Sequence, residues 1–299
     1  MTYENFNSDD ITEIIRLLKT AFPKEIVSDA IVKEKIFDDL DFNFELTFKA
    51  LAEGKIIGFI MGVIRKNNNG NIGFIKLLAV KKNYKRENIA SGLLKLVEKK
   101  MKSEGISKLR MCDSYPNYFL PGVDPFSIES ICFLEANGFN KCGDCISLSC
   151  KLDKQELETR DDEIRLHQIG IKLFRPKIQD YEEIKKWSEK YFPEFSSEIS
   201  AAFLNEPVSL HLAEHNGNVV AFSTYKVNNK SLGNIGPIGT VPDYRGNGIG
   251  AVLLKLSLRD LQQMGFKSST IPCVKNIAFF VKNVNVRAER IFWQYEKLL

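Results

Sequence analysis

Apolar positions recur at helical spacing from the first turn of the chain onward. Ile11, Ile14, Ile15 and Leu18 share one face, which predicts a helix capped by Ser8 or Asp9 after a short strand at residues 2–6. A second helical stretch is expected at residues 29–39. Strands follow at 44–52 and 55–65, joined by Glu53-Gly54, and then at 73–80 after a turn over Asn67-Asn68-Asn69-Gly70. The same order restarts with a strand at 171–175, a helix start near Asp180 and the stripe Tyr181, Ile184, Trp187. Alternation around Asn216-Gly217 reads as a hairpin that carries His211 and His215 on one face. A strand at 235–241, a helix at 251–264 and a partly alternating last strand over 286–295 complete the pattern.

The restart is an internal duplication. YKRENIASGLLKL begins at Tyr84 and YRGNGIGAVLLKL begins at Tyr244, a separation of 160 residues that Gly105 and Gly265 keep. The expected domains are residues 1–152 and 170–299. Between them 153–169 is charged, poor in apolar residues and read as a linker.

Composition narrows the classes of function. A chain of 299 residues with 44% hydrophobic and 27% charged residues fits two soluble domains. The net charge of +4 is too small a surplus to imply nucleic acid or an anionic membrane as partner. The apolar run at 56–64 is far shorter than the roughly 20 residues of a spanning helix. The polar start MTYENFNSDD offers no secretory core, so a cytoplasmic protein is expected. Cys142 and Cys145 have CxxC spacing, but the chain has no second such pair and only three histidines, so no metal site or redox role is expected. His211 and His215 read as solvated or core-edge side chains.

The chemistry lies in the stretch after the strand at 235–241. Arg245-Gly246-Asn247-Gly248-Ile249-Gly250 sits between that strand and a helix. Unpaired N–H groups at a helix start, glycines that admit close approach and an arginine together suit an anion. A plain tight turn is the alternative reading of these residues. The spacing departs from the Rossmann fingerprint, and no Gly-Lys-Ser/Thr closes a Walker loop.

Val241 through Leu254, VPDYRGNGIGAVLL, resembles motif A (R/Q-x-x-G-x-G/A) of the GNAT N-acetyltransferase superfamily. The duplication resembles its tandem members of mycothiol-synthase-like arrangement. That resemblance implies two tandem α/β domains, each a mixed sheet with flanking helices, whose fourth and fifth strands splay to admit acetyl-CoA as acyl donor. It further implies that backbone N–H groups near Thr240 and Val241 meet the pantetheine and thioester, and that Arg245 through Gly250 hold the pyrophosphate.

The first half departs from the motif, with Lys85 for the arginine, Asn88 for the first required glycine, Ala90 for the second and Glu87 adjacent. It is expected to bind acyl-CoA weakly or not at all. Its extra loop around Tyr115 to Asp124 is either a packing flap or part of an acceptor pocket. Where many members carry an acidic tyrosine, this chain has Leu134 and Phe280, so no catalytic residue is assigned; Tyr225 or water could supply the proton, and Glu214 or a water chain could act as base. The expectation is an N-acetyltransferase acting on a small-molecule or protein amine. The rival is a tandem module that binds acyl-CoA, or serves structurally, without catalysis.

Overall fold

The computed structural model describes residues 1–66 and 70–299; the expected turn over Asn67-Asn68-Asn69 lies outside them. The chain divides into two compact units, Met1–Cys145 with Ile291–Leu299, and Ile146–Arg290. Against the expected 1–152 and 170–299, the second unit begins at Ile146 and takes in the charged stretch 153–169, and residues 291–299 belong to the first unit.

The first unit runs β1 (Thr2–Asn5), α1 (Ile11–Ala21), α2 (Asp29–Ile36), β2 (Thr47–Ala52), β3 (Lys55–Arg65), β4 (Ile72–Val80), α3 (Ile89–Ser103), β5 (Lys108–Met111), α4 (Ile128–Ala136) and the start of β6 (Asn140–Lys151). Strands β1 to β4 pair antiparallel in sequence order. Strand β5 adds in parallel to β4, and residues 295–298 then pair antiparallel with β5. Helix α1 forms because Ile14, Ile15, Leu17 and Leu18 bury one face. Its entry is capped by Asn7 in a capping box with Asp10, not by Ser8 or Asp9. Helix α2 starts at the Ser28 cap and stops at Ile36, short of the expected 39. Residues 44–46 form a 3-10 turn capped by Asn43, so β2 begins later than expected. Helix α3 buries Ile89, Leu93, Leu94, Val97 and Met101 in the core. The loop around Tyr115 to Asp124 packs: Tyr118, Phe119 and Val123 are buried, and Val123 bridges to Trp293.

The second unit runs α5 (Arg160–Gln168), β7 (Ile171–Phe174), α6 (Tyr181–Tyr191), α7 (Ser196–Ala202), β8 (Leu210–His215), β9 (Asn218–Tyr225), β10 (Ile235–Thr240), α8 (Ile249–Gln263), β11 (Ser268–Val274), α9 (Ile277–Asn283) and the start of β12 (Arg287–Leu298). Strands β7 to β10 make an antiparallel sheet in sequence order, with β10 at its edge. Strand β11 pairs instead with residues 146–151 of β6. Part of the charged stretch read as a linker is the helix α5. Acidic Asp161, Asp162 and Glu163 in its first turn and Arg165 and His167 in its last complement the helix dipole, and buried Leu166 anchors it.

The duplication extends to detail. Helices α3 and α8 end in the same motif, with Ile106 N–H donating to Met101 O at 3.0 Å and Phe266 N–H to Leu261 O at 3.1 Å. Among the described residues no helix is long and apolar enough to cross a membrane.

Candidate functional site

The glycine loop of the second unit is built on left-handed backbone. After β10 the chain makes a 3-10 turn over Pro242–Tyr244 and enters α8 through Gly246 at φ 85° and Gly248 at φ 81°. A Cβ at Gly248 would also lie 2.8 Å from Arg165 Nη2, the end of a long side chain that would have to shift. The N–H groups of Ala251 and Val252 donate to Gly248 O at 3.1 and 3.2 Å. Those of Ile249 and Gly250 therefore point out of the end of a 15-residue helix. Outward N–H groups at a helix start are a geometry that can receive an anion.

Side chains around the loop fix its shape. Tyr244 OH meets His215 Nδ1 at 3.1 Å, and Asn247 Nδ2 donates to Tyr244 O at 3.1 Å. Arg245 is exposed and donates from Nε to Thr240 O at 3.0 Å, while its terminal nitrogens have no partner among the described residues. Val241 N–H donates to Val220 O at 2.8 Å and is committed to the sheet. Thr240 lies opposite Ala221 in the alternate register, so its own N–H faces the open edge of β10. Of the two N–H groups expected near a thioester, the one at Thr240 is available. Arg245, Gly246, Asn247, Gly248, Ile249 and Gly250 come together as one continuous turn. The contributions of Arg165 and of His215 through Tyr244 were missed, because neither lies near the loop in sequence.

The first unit repeats the loop with other side chains. Arg86 at φ 67° and Asn88 at φ 59° hold the left-handed positions that Gly246 and Gly248 hold in the second unit. Lys85 is ion-paired with Glu129 of α4. Helices α4 and α9 are equivalent at a separation of 146 residues, since Asn137 Nδ2 donates to Phe133 O and Asn283 Nδ2 to Phe279 O, each at 2.7 Å. Leu134 is buried in the first core, and Phe280 is half-buried against the second.

The other candidate groups are occupied. Tyr225 is fully buried and accepts from Arg175 Nη1 at 2.7 Å; burial pushes its hydroxyl up to about 12. Glu214 accepts from Gly217 N–H at 3.1 Å and closes the hairpin turn. His211 is not solvated: its Nε2 lies 2.6 Å from Asp260 Oδ2, and Arg175 pairs with the same carboxylate. No cluster of three or more His, Cys, Asp or Glu suited to a metal occurs among the described residues.

The profile of the Acetyltransferase (GNAT) family matches residues 11–119 and again residues 174–283. The chain belongs to the GNAT acetyltransferase family. Solved structures agree on the fold. A glucosamine N-acetyltransferase region of a fungal multi-domain β-N-acetylglucosaminidase superposes with TM-score 0.84 at 19% identity, over 99% of this chain and 38% of that one. A GCN5-related N-acetyltransferase from Sphaerobacter thermophilus gives 0.71 at 14% identity, over 99% and 95%. A tandem GNAT protein from the clavulanic acid pathway gives 0.66 at 13%, over 99% and 98%. This chain thus spans well under half the length of the first of these. Among curated proteins no sequence matches.

In both GNAT units the strand before the loop is bulged at the same place. In the first, Met61 pairs with Leu77 and Gly62 with Ile75, which leaves Lys76 as the extra residue. In the second, Ser223 pairs with Ile238 and Tyr225 with Ile235, and the bulge contains Gly236. The parallel pairing of β4 with β5 stops at Ile75 and Met111, so Lys76 stands where the strands part. Its side chain is fully buried and pairs with Asp39, which also takes both terminal nitrogens of Arg65. Burial pushes the Lys76 amine down to about 7 against the opposing pull of Asp39. Gly236 has φ 110°, and a Cβ there would meet nothing within 4 Å. The same point of the fold is filled in one GNAT unit and open in the other.

Proposed function

We propose that the chain transfers an acetyl group from acetyl-CoA to an amine of a small molecule or protein, in the cytoplasm, with the second unit holding the donor. One observation carries this reading. The two loops share a backbone, yet only the second pairs side-chain-free left-handed positions with a cation whose terminal nitrogens are open. The first places Asn88 in the path of a phosphate and ties Lys85 to Glu129.

In this reading Gly246 to Gly250 and Arg245 take the pyrophosphate. The Thr240 N–H, aimed at the open edge of β10, polarises the thioester carbonyl. The amine approaches at the open bulge of Gly236. Phe280 brings no proton to the leaving sulfur, and Tyr225 is held by Arg175. A thiol with ordinary pKa near 8.5 departs as thiolate and is protonated by water. The base is water, since Glu214 serves its hairpin.

Phe280 is also what favours the second reading, a module that binds acyl-CoA without turnover. Calorimetry with acetyl-CoA, followed by free-thiol detection across a panel of amines, separates the two. Binding with turnover of at least one amine is expected. Binding without turnover across a broad panel selects the module, and no binding overturns both.

A further inference from the structure

Arg165 lies in the charged stretch outside motif A, yet its guanidinium sits against the glycine loop. Nη1 donates to Asn247 O at 3.0 Å, and Nη2 donates to Asp162 Oδ1 at 3.0 Å. A Cβ at residue 248 would stand 2.8 Å from Nη2, so a side chain at 248 would require the end of this arginine to shift away. In the first unit the equivalent residue is Asn88, which does carry a side chain. The guanidinium has five N–H donors, of which these bonds use two. Its side chain is 47% exposed, so the remaining donors reach solvent beside the N-terminus of α8.

A contact that only shaped the loop would need one donor on Asn247 O. What remains is a planar, permanently charged fork beside outward-pointing helical N–H groups, which is the geometry that recognises phosphate. Asp162 offsets part of the charge, but an exposed pair of this kind is weak and yields to a doubly charged ligand. We infer that Arg165 is a donor-binding residue, supplying from α5 a second cation, beside Arg245, to a phosphate of acyl-CoA. The inference rests on the second unit being the donor site.

Two phosphate sources share this chemistry, the pyrophosphate and the 3′-phosphate of the adenosine. The test is titration calorimetry of the full chain with CoA and with 3′-dephospho-CoA, at two salt concentrations. Arg165→Ala is expected to weaken CoA at least about tenfold, as loss of a charge-assisted bond does, and to flatten the salt dependence. Arg165→Gln keeps an N–H donor for Asn247 O without the charge, and it should be as weak as the alanine variant. Equal losses for both ligands place Arg165 on the pyrophosphate; a loss for CoA alone places it on the 3′-phosphate. Wild-type affinity in either variant, with an unchanged melting temperature, overturns the inference. Arg165→Lys, which keeps the charge, should recover part of the affinity and covers the case of an unfolded alanine variant. Failure of the wild-type chain to bind CoA would instead overturn the donor-site reading itself.

Discussion

Lys76 and Gly236 are the same bulge residue of two copies of one fold, 160 positions apart, and they treat the space at the bulge in opposite ways. Lys76 fills it with an ammonium bound to Asp39, while Gly236 leaves it empty. Gly236→Ala therefore tests whether the opening is used. At φ 110° an L side chain costs about 1–3 kcal/mol of strain and occupies the mouth of the bulge. Steady-state kinetics should show kcat/KM for the amine reduced tenfold or more, with the dissociation constant of acetyl-CoA within twofold of wild type. Unchanged kinetics would move the acceptor elsewhere.

Asn88 shows how to alter the second loop without unfolding it. It adopts φ 59°, ψ 13° where Gly248 adopts φ 81°, ψ 1°, so Gly248→Asn keeps the backbone while adding a side chain over the cradle. That side chain also displaces Arg165. The expected outcome is at least tenfold weaker acetyl-CoA binding by calorimetry, with the melting temperature lowered by only a few degrees. Retained affinity in the folded variant would remove the loop from the donor site.

Stoichiometry follows from the charges beside the two loops. Lys85 is ion-paired with Glu129, whereas the terminal nitrogens of Arg245 are open. One acetyl-CoA should bind per chain. Arg245→Ala should weaken it by about tenfold, the value of about 1.4 kcal/mol, and Lys85→Ala should leave it within twofold. Two equivalent sites would place a donor in each unit, and a larger loss from Lys85→Ala would place it in the first.

What was legible in the chain was contiguous. Arg245 to Gly250 form one turn in sequence and in space, and the Asn216-Gly217 hairpin sits where alternation placed it. The duplication showed because Tyr84 and Tyr244, Ile89 and Ile249, and the two Leu-Leu-Lys-Leu runs recur at one offset although the loop residues between them differ. What escaped is held by long-range pairing. Asp39, read as the end of a helix, meets Lys76 37 positions on, and His211 meets Asp260 49 positions on. A signal existed for the first of these: a lysine inside the apolar run GFIKLLAV demands a buried carboxylate from somewhere. Gly236-Pro237 inside a strand likewise marks a bulge. Helix α5 gave almost none, because Leu166 alone among its residues is buried.

The Asp260 cluster sets how the second unit responds to pH. Burial pushes the Asp260 carboxyl up, but hydrogen bonds from His211, then Arg175, outweigh it and bring the group to about 2, below the ordinary value of 3.8. A carboxylate depressed in the folded state contributes stability that is fully present above its unfolded value and is lost as pH falls toward 2. Burial raises the Tyr225 hydroxyl from 10 to about 12, so its contribution is present below pH 10 and is lost as pH rises toward 12. Well above 3.8 and well below 10 neither group changes charge in either state, and neither contributes a slope. Asp260→Asn removes the acid-side dependence and leaves the Arg175 guanidinium and the His211 ring without their carboxylate. Denaturant unfolding followed at intervals from pH 2 to pH 7 should give about 1–2 kcal/mol less acid-induced loss of stability in the variant than in the wild-type chain, solvent screening at this half-buried cluster being allowed for. At pH 7 the variant should itself be less stable, since it leaves the half-buried Arg175 guanidinium without its carboxylate. Parallel acid curves for the two proteins would show that Asp260 is not held ionised by His211 and Arg175.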